Sequence, residues 1–506
     1  MNVLDRLIGI AAPEAALRRA RARAALRVVE AHYAAGTKTQ RASSWRASGA
    51  DADGASQRRD RLRFIARDMV RNTPLALRGQ MVIANNVIGD GIIPKVKAPQ
   101  VTIERQLRAL ALAHLDTTAI DADGRSNLYG LQRLVVNAVV DAGEVLVRRR
   151  RRRRTDGLPL PFQVQVIEAD FIDTSREGTL ANGGYIREGI EFDAIGRRAA
   201  YWLFDEHPGS TFRPLRGLMS RRVPASEVLH VYRQDRPGQM RGVTWFAPVA
   251  MNLQDLADGQ DAHLMRQKIA ACFAGFVTDT DSVGMPQTAA DAEKRDPLGS
   301  IVPGRLQRLS PGESIEFPTP PGVDGFDQFT AVILRSVAAG LGITYEALVG
   351  DLSQVNFSSA RMGRMEMNRN VSSWQWLMVV PQLLQPLAEW FLEAAELQMG
   401  RLLPAGTSID WTPPAVIMVD PTREVAAMRD AVRAGFASRR MQVRALGYDP
   451  EEIEAEIAEE RAAALEAGLV FDTDAVVPKS GGVPGRVPDV DENDENDQSG
   501  GPNDGR

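Results

Sequence analysis

Phe326-Asp-Gln-Phe-Thr-Ala-Val-Ile-Leu-Arg-Ser-Val-Ala-Ala-Gly340 is followed by Leu341-Gly-Ile-Thr-Tyr-Glu-Ala-Leu-Val-Gly350 and by Asp351-Leu-Ser-Gln-Val-Asn-Phe-Ser-Ser-Ala360. In the first segment Phe326, Phe329, Ile333, Val337 and Leu341 recur at helical spacing, which predicts one packed apolar stripe. Gly340 and Gly342 end that helix, and the polar run from Gly350 leads into a second, very long one spanning about Ser359 to Gly400. Trp374, Trp376, Leu377, Leu383, Leu384, Leu387, Trp390 and Phe391 are its anchors, and Pro381 and Pro386 are expected to bend it because each removes a helical hydrogen bond. Upstream, Pro248 to Phe276 reads as another long helix, closing on Ile269, Cys272, Phe273 and Phe276. Between the two helices, 277–325 is rich in Gly, Pro, Asp and Thr, with short strand candidates at Ser300-Ile-Val302 and Ser314-Ile-Glu-Phe317. Two long helices therefore flank a small insert.

Outward from this centre, helices are expected from Asp60, over Leu75 to Val87, near Ile103 to Leu115 and over Leu128 to Val140. Ile92-Ile93-Pro94-Lys-Val96 is strand-like, and Asp121 to Asn127 reads as a turn that caps the next helix rather than a calcium loop, since the third ligand and the closing Glu are missing. Residues 144–240 cluster β-formers between turn residues: Glu144 to Arg149, Phe162 to Glu168, Ile190 to Phe192, Ala199 to Phe204 and Val228 to Tyr232. These segments predict an antiparallel sheet in a mixed α/β region. Helical patterns return over Thr422 to Ala434, Ser438 to Leu446 and Pro450 to Ala467. Residues 35–59 have no apolar period and read as a mobile arm, while the stretch beyond Phe471 ends in Asp491-Glu-Asn-Asp-Glu-Asn-Asp497 and reads as disordered.

The 506 residues suffice for several domains, and 44% apolar with 25% charged content excludes collagen-like, wholly disordered and membrane-spanning classes. No run reaches the ~18 apolar residues of a membrane helix. The net charge of -4 hides a polarity along the chain. Residues 1–80 carry 16 Lys/Arg against 7 Asp/Glu, whereas 451–506 carry 4 against 16, so the two ends face different electrostatic partners. Cys272 is the only cysteine, which excludes an intrachain disulfide and a cysteine zinc site, and fits an intracellular place of assembly.

No phosphate-binding loop, His-Glu-x-x-His or Gly-x-Ser-x-Gly motif is present, and the five histidines are scattered. Neither a metal site nor a cofactor is expected. Arg148 to Arg154 is a run of seven arginines. On a strand its guanidinium groups alternate between faces, so Arg148, Arg150, Arg152 and Arg154 share one side. That side is either a solvated hairpin tip or a contact to nucleic-acid phosphates or an acidic tail. The segment from Gly350 to Arg361 offers Ser353, Gln354, Asn356, Phe357, Ser358, Ser359 and Arg361. It reads either as a capping loop with Ser358 or Ser359 as N-cap, or as the lining of a polyanion passage, where uncharged hydrogen bonders permit sliding that many Lys/Arg contacts would arrest.

Several strings, in this order, resemble the phage portal proteins of the lambda family. They are Ala66-Arg-Asp-Met-Val-Arg-Asn72-Thr-Pro74, Gly130-Leu-Gln-Arg-Leu134 with Gly143-Glu-Val-Leu-Val147, Ile167-Glu-Ala-Asp170 and Gly189-Ile-Glu-Phe-Asp193. Arg236-Pro-Gly-Gln-Met-Arg-Gly242, Met265 to Phe273, Gly340 to Glu346, Gly350 to Ala360 and Val419-Asp-Pro421 continue the series. The resemblance covers about residues 60–470. It implies an α+β portal fold: a flexible basic arm (1–59), a mixed α/β wing (60–245), a stem helix (246–276), a clip (277–325) and a second stem helix (326–344). A tunnel loop (345–360), a long kinked helix returning to the wing (361–420), a helical crown (421–470) and a disordered acidic tail (471–506) would follow.

The resemblance further implies a non-enzymatic, typically dodecameric ring at one capsid vertex, assembled in the host cytoplasm, through which double-stranded DNA is packaged and ejected. Its implied partners are the terminase large subunit, a head-completion adaptor and the major capsid or scaffold protein, with no membrane. Arg361 and Arg364 would add weak phosphate contacts or pair with Asp351 and Glu366. Two other readings remain open. Asp141, Glu144, Glu168 and Asp170 could form a Mg²⁺-dependent site of a nucleic-acid-processing enzyme, or the chain could be a capsid or tail scaffold without DNA contact. If rings form, the long helices should leave large apolar patches on a single chain.

Overall fold

The computed structural model describes residues 49–54, 58–211, 219–272, 276–279, 313–316, 325–353, 357–414, 420–448 and 450–469. Four helices and one strand open this part of the chain: α1 (Arg59–Asn72), α2 (Pro74–Val87), β1 (Ile93–Lys97), α3 (Val101–His114) and α4 (Leu128–Ala142). Pro74 starts α2, where its missing N–H costs nothing. Asn127 caps α4 by accepting from Gly130 N, while the Asp121 carboxylate takes the amides of Asp123, Arg125 and Ser126, so the turn read from the sequence is a capping turn.

The strands follow as β2 (Glu144–Arg151), β3 (Phe162–Glu168), β4 (Gly178–Thr179), β5 (Tyr185–Arg187), β6 (Ile190–Phe192), β7 (Arg198–Phe204), β8 (Ser220–Pro224) and β9 (Val228–Tyr232). They form two antiparallel sheets, β3-β2-β9 and β4-β5-β6-β7-β8. The strand β2 is central, with Val147 opposite Val166 on one side and Leu229 on the other. Its odd-numbered residues Val145 and Val147 enter the main core, whereas Leu146 enters a smaller core with Ile167, Ile190, Phe192 and Leu203. This period of two is what separates the two faces of the arginine run.

Beyond Thr244 the chain becomes helical: α5 (Ala250–Cys272), α6 (Phe326–Leu341), α7 (Tyr345–Val349), α8 (Phe357–Trp374), a π-helical segment Gln375–Leu384 and α9 (Gln385–Met399). The short strands β10 (Phe276–Asp279) and β11 (Glu313–Glu316) pair antiparallel beside the end of α5, so the insert does contain a β element; its remainder lies outside the described residues. A later strand β12 (Ser408–Thr412) returns to pair with β1, Val96 opposite Ile409. The C-terminal helices are α10 (Pro421–Arg433), α11 (Arg439–Ala445) and α12 (Pro450–Glu466). One core runs from α1 through α4, β2 and β3 to Trp245, Phe246, Val337, Leu341, Val379, Leu384 and Phe391, which binds the long helix to the mixed region. Among the described residues no helix is long and apolar enough to cross a membrane.

Four expectations change. Phe276, read as the end of the long helix from Pro248, instead begins strand β10, past the close of α5 at Cys272. Pro381 sits inside the π-helical segment, so the lost hydrogen bond is absorbed by a local change of helical register flanked by α-helix on both sides. The proposed loop 345–360 begins as helix α7, capped by Thr344, and ends inside α8; Phe357, Ser358 and Ser359 stand in the first turn of that helix, so neither serine is its N-cap. The expected stripe of α6 is buried only toward its C-terminal end, at Leu334, Val337, Ala338 and Leu341, whereas Phe329 is 56% exposed.

Candidate nucleic-acid interface

The turn from α6 into α7 is tightly specified. Gly342 has φ of 72°, a left-handed conformation that suits glycine, and its N–H and that of Ile343 return to the last carbonyls of α6. Asn370 of α8 donates to Gly342 O at 3.0 Å, and the Trp374 ring lies 4.8 Å from that of Trp245, so α8 holds the turn from the far side. Thr344 accepts from Ala347 N at 3.2 Å, and Gly350 closes α7 by donating to Glu346 O at 2.7 Å. The segment is therefore presented from two anchored helix ends.

Past Gly350, Asp351, Leu352 and Ser353 are exposed. The Asp351 carboxylate accepts from Ser353 N at 2.9 Å, and hydrogen bonds to Ser353 hold it below the usual carboxylate range. Ser353, Ser359 and Arg361 are exposed; Gln354 and Asn356 lie outside the described residues. No ion pair joins Arg361 to Asp351 or Glu366 among the described residues, which leaves its guanidinium facing solvent. Leu352 and Met362 are 68% and 67% exposed beside these polar groups, a combination the sequence reading did not single out.

The arginine run divides as the strand period requires. Arg149 points inward, 2.6 Å from Glu393 and packed over the rings of Phe162 and Trp390, and Arg151 reaches Glu227 at 2.7 Å. On the opposite face Arg150 donates to Gln165 and Arg152 to Gln163, at 2.9 and 2.8 Å from their Nε atoms. Arg154 leaves this line: it starts a 3-10 turn and donates to Gln398 O at 3.2 Å. The structure thus keeps Arg148, Arg150 and Arg152 together and separates Arg154 from them. These cations and the segment near Ser353 belong to different parts of the fold, strand β2 and the α7–α8 connection.

The four carboxylates of the enzyme reading do not form one open site. Glu144 is fully buried and accepts from Arg63 at 3.0 Å, Arg241 Nε at 2.9 Å, His230 Nε2 at 2.9 Å and Gly242 N at 2.9 Å, leaving no lone pair for a metal. Burial acts to raise its pKa, but Arg241 and His230 overcome that and hold the carboxyl well below its ordinary value. The approach depends on Gly143, with φ of 89°, where any Cβ would strike the backbone of Val243 and Thr244. His230 in turn accepts at Nδ1 from Arg198 at 3.2 Å and is kept neutral, burial first, with its pKa pushed down to about 4. Asp170 is spent on Arg63 and Arg67, at 3.2 and 2.7 Å. Glu168, Asp170 and His207 do approach one another, but Arg67 lies within 3.3 Å of Glu168 as well, so a cation already occupies their charge. The sequence shows His230 between apolar neighbours in Val228-Leu-His-Val-Tyr232, a sign of burial; nothing in it discloses Arg63 and Arg241 as its companions around Glu144.

Asp141 is a separate case. Burial pushes its pKa up to about 7, against the opposing pull of Arg67, and Gln80 donates to it at 3.3 Å. A raised carboxyl binds its proton more tightly in the folded chain, so its contribution to stability is lost as pH rises through the window from 3.8 to about 7. Asp141→Asn is expected to raise the thermal midpoint by a few degrees at pH above that window, with the gain shrinking toward its acid end. Thermal melts at the two limits check this; equal effects at both would remove Asp141 as the source.

The profile described as phage portal protein, lambda family, matches residues 38–375. The chain belongs to that family. A probable portal protein of Halomonas phage phiHAP-1 is 27% identical over 450 residues, which cover 84% of this chain and 85% of that protein. Portal protein B of Escherichia phage lambda is 26% identical over 324 residues, 56% of this chain and 59% of that one. Among solved structures, a chain from the neck of a native gene transfer agent particle computed with C12 symmetry aligns with TM-score 0.46 and 15% identity, covering 76% of this chain and 94% of that one. Family membership gives the chain a portal role, and its named relatives are portal proteins. The observed α+β architecture agrees with the fold expected from the sequence.

Proposed function

We propose that copies of this chain close into a ring, expected to be dodecameric, at one capsid vertex and that double-stranded DNA enters and leaves through its bore. No bond is made or broken by the chain itself. The observation that carries the ring is the unfinished packing of the paired long helices. The α5 helix buries Leu253 and Leu256 near its start, yet farther along Leu264 and Met265 are 47% and 58% exposed. On α6, Phe329 and Val332 are 56% and 57% exposed. His263 stacks on Phe326 at 4.4 Å, so these distal ends lie together with exposed apolar surface on each. Within one chain nothing among the described residues covers that surface, and repetition around a closed axis supplies the cover. The saturation of Glu144 by arginines counts against the hydrolytic alternative.

In this reading the tunnel loop 345–360, with Arg361 just beyond it, faces the bore, where Ser353, Gln354, Asn356, Ser358 and Ser359, with Phe357 and Arg361, touch passing DNA weakly enough to let it slide. The insert 277–325 docks the terminase large subunit during filling and the head-completion adaptor afterwards. The ring meets the major capsid or scaffold protein at its wing, and assembly takes place in the host cytoplasm before the ring joins the virion. Replacing Gln354, Asn356 and Ser358 together with alanine is expected to lower packaged or retained DNA several-fold while rings viewed down their axis look normal. Loss of the rings would reassign these residues to structure; normal rings with normal packaging would remove them from the DNA path.

A further inference from the structure

Arg148, Arg150 and Arg152 form a line of cations that the fold orients without neutralising. They continue the face of β2 on which Leu146 packs, beyond the edge of the smaller core. Their strand neighbours Arg149 and Arg151 each have a carboxylate partner, at 2.6 and 2.7 Å. The three themselves have no ion pair among the described residues. Instead the neutral Gln165 and Gln163 hold one edge of Arg150 and Arg152 and leave the rest of each guanidinium open. Burial, with Arg221 acting on Arg148 and the flanking Arg148 and Arg152 on Arg150, lowers the pKa of Arg148 and Arg150 against the opposing pull of carboxylates that stand near them without pairing.

We propose that this stripe is a docking site for an acidic peptide and that its occupant is the chain's own C-terminal segment 489–497. Residues two apart on an extended chain are spaced about 6.6–7 Å, so alternate arginines on β2 and alternate side chains of an extended peptide share one repeat. The segment supplies such pairs three times: Asp489 with Asp491, Glu492 with Asp494, and Glu495 with Asp497. It is also within reach. Glu451, near the start of α12, lies 3.0 Å from Lys95 on β1. The hairpin tip meets the end of α9 through Arg154 and Gln398, and Arg401 just past α9 meets Gln106 on α3, the helix that follows β1. Residues 470–488, at ~3.3 Å each, span up to about 60 Å, more than the ~26 Å length of α12, from whose far end they start, and the ~21 Å length of α3 together. Tethering then holds the segment at an effective concentration on the order of millimolar.

Duplex DNA fits the same stripe less well. Asp205 and Glu227 act on Arg148, and Asp123 and Asp205 on Arg150, so carboxylates flank the cations. A narrow peptide passes between them, whereas the broad phosphate surface of a duplex meets them. The docked segment would keep the stripe from capturing DNA along the outside of the particle.

The test uses the full chain carrying Arg150→Lys, which keeps the cation and introduces an amine for a zero-length carbodiimide cross-link. After proteolysis, mass spectrometry is expected to find an amide joining strand β2 to 489–497 at low salt. That link should vanish near 1 M salt, where the Debye length falls to ~3 Å, and when the six paired Asp and Glu residues of the segment are replaced by their amides. Cross-links confined to Asp123, Asp205 or Glu227, or a link that survives both treatments, would overturn the proposal. A second measurement separates the rival occupant. The amide variant in the otherwise native chain is expected to bind a short duplex several-fold more tightly, and the gain should disappear with Arg148→Gln, Arg150→Gln and Arg152→Gln. Equal duplex affinity and equal salt dependence with and without the tail charges would show that the segment does not occupy the stripe.

Discussion

Glu144→Gln is expected to destabilise the mixed α/β region by about 3–5 kcal/mol, the cost of removing one member of a buried charge cluster. The loss falls mainly on Arg241, which is 2% exposed and loses its bidentate partner, keeping only Glu188 at 3.7 Å. Arg63 suffers less because Asp170 remains 3.2 Å away. The amide also turns a donor toward Arg241 and His230 in place of an acceptor. Urea unfolding, with hydrogen exchange at β2 and β9, measures the effect. Glu168→Gln is the control, its side chain being 50% exposed and its pair with Arg67 worth little. A loss at Glu144 no larger than the control would show that the cluster rearranges around the missing charge. Acid should act in the same direction. The depressed Glu144 carboxyl contributes stability above its ordinary 4.5 that is lost as pH falls. Neutral His230 contributes stability that is complete above 6.5 and is lost as pH falls toward about 4.

Much of this architecture is legible in the sequence because its elements are long or sharply bounded. Phe162–Glu168, Ile190–Phe192 and Val228–Tyr232 appear as strands at the residues where their β-formers cluster, and Phe326–Leu341 as a helix between its glycines. Gly178–Thr179, Tyr185–Arg187 and Ser220–Pro224 escape, since they are short and, unlike Ile190–Phe192 and Val228–Tyr232, are diluted by Gly, Arg, Ser or Pro so that no cluster of β-formers marks them. Ser408–Thr412 escapes for another reason. It is a strand only because it meets Ile93–Lys97, a partner more than three hundred positions away that no local pattern names. The same holds at the buried cluster: Glu144 announces a carboxylate, but Arg63 and Arg241 become its partners through the packing of α1 and the turn at Gly242. At the DNA-facing candidate the residue types are plain in the sequence, while the helical state of 345–349 depends on the Thr344 cap and on packing of Leu348 into the main core. Within the run of arginines alternation separates the paired Arg149 and Arg151 from Arg148, Arg150 and Arg152, but it misplaces Arg154, which lies past the end of β2 in a 3-10 turn.

Phe329→Asp combined with Val332→Asp is expected to abolish ring assembly while leaving the subunit folded. Both side chains are more than half exposed in the single chain, so the charges cost little there. The core contacts of α6, at Leu334, Val337, Ala338 and Leu341, are untouched. In a closed ring the same surfaces meet a neighbour, and an unpaired carboxylate removed from water costs several kcal/mol. Symmetry repeats that cost at every interface, so no single contact can be weakened while the rest hold. Sedimentation should show the parent as one large species and the double variant as subunits, with matching circular dichroism melts. Lysine at both positions should fail in the same way, since the argument concerns burial and not the sign of the charge. Rings of normal size from either variant would place the interface elsewhere and leave the exposed distal halves of α5 and α6 without the neighbour assigned to them.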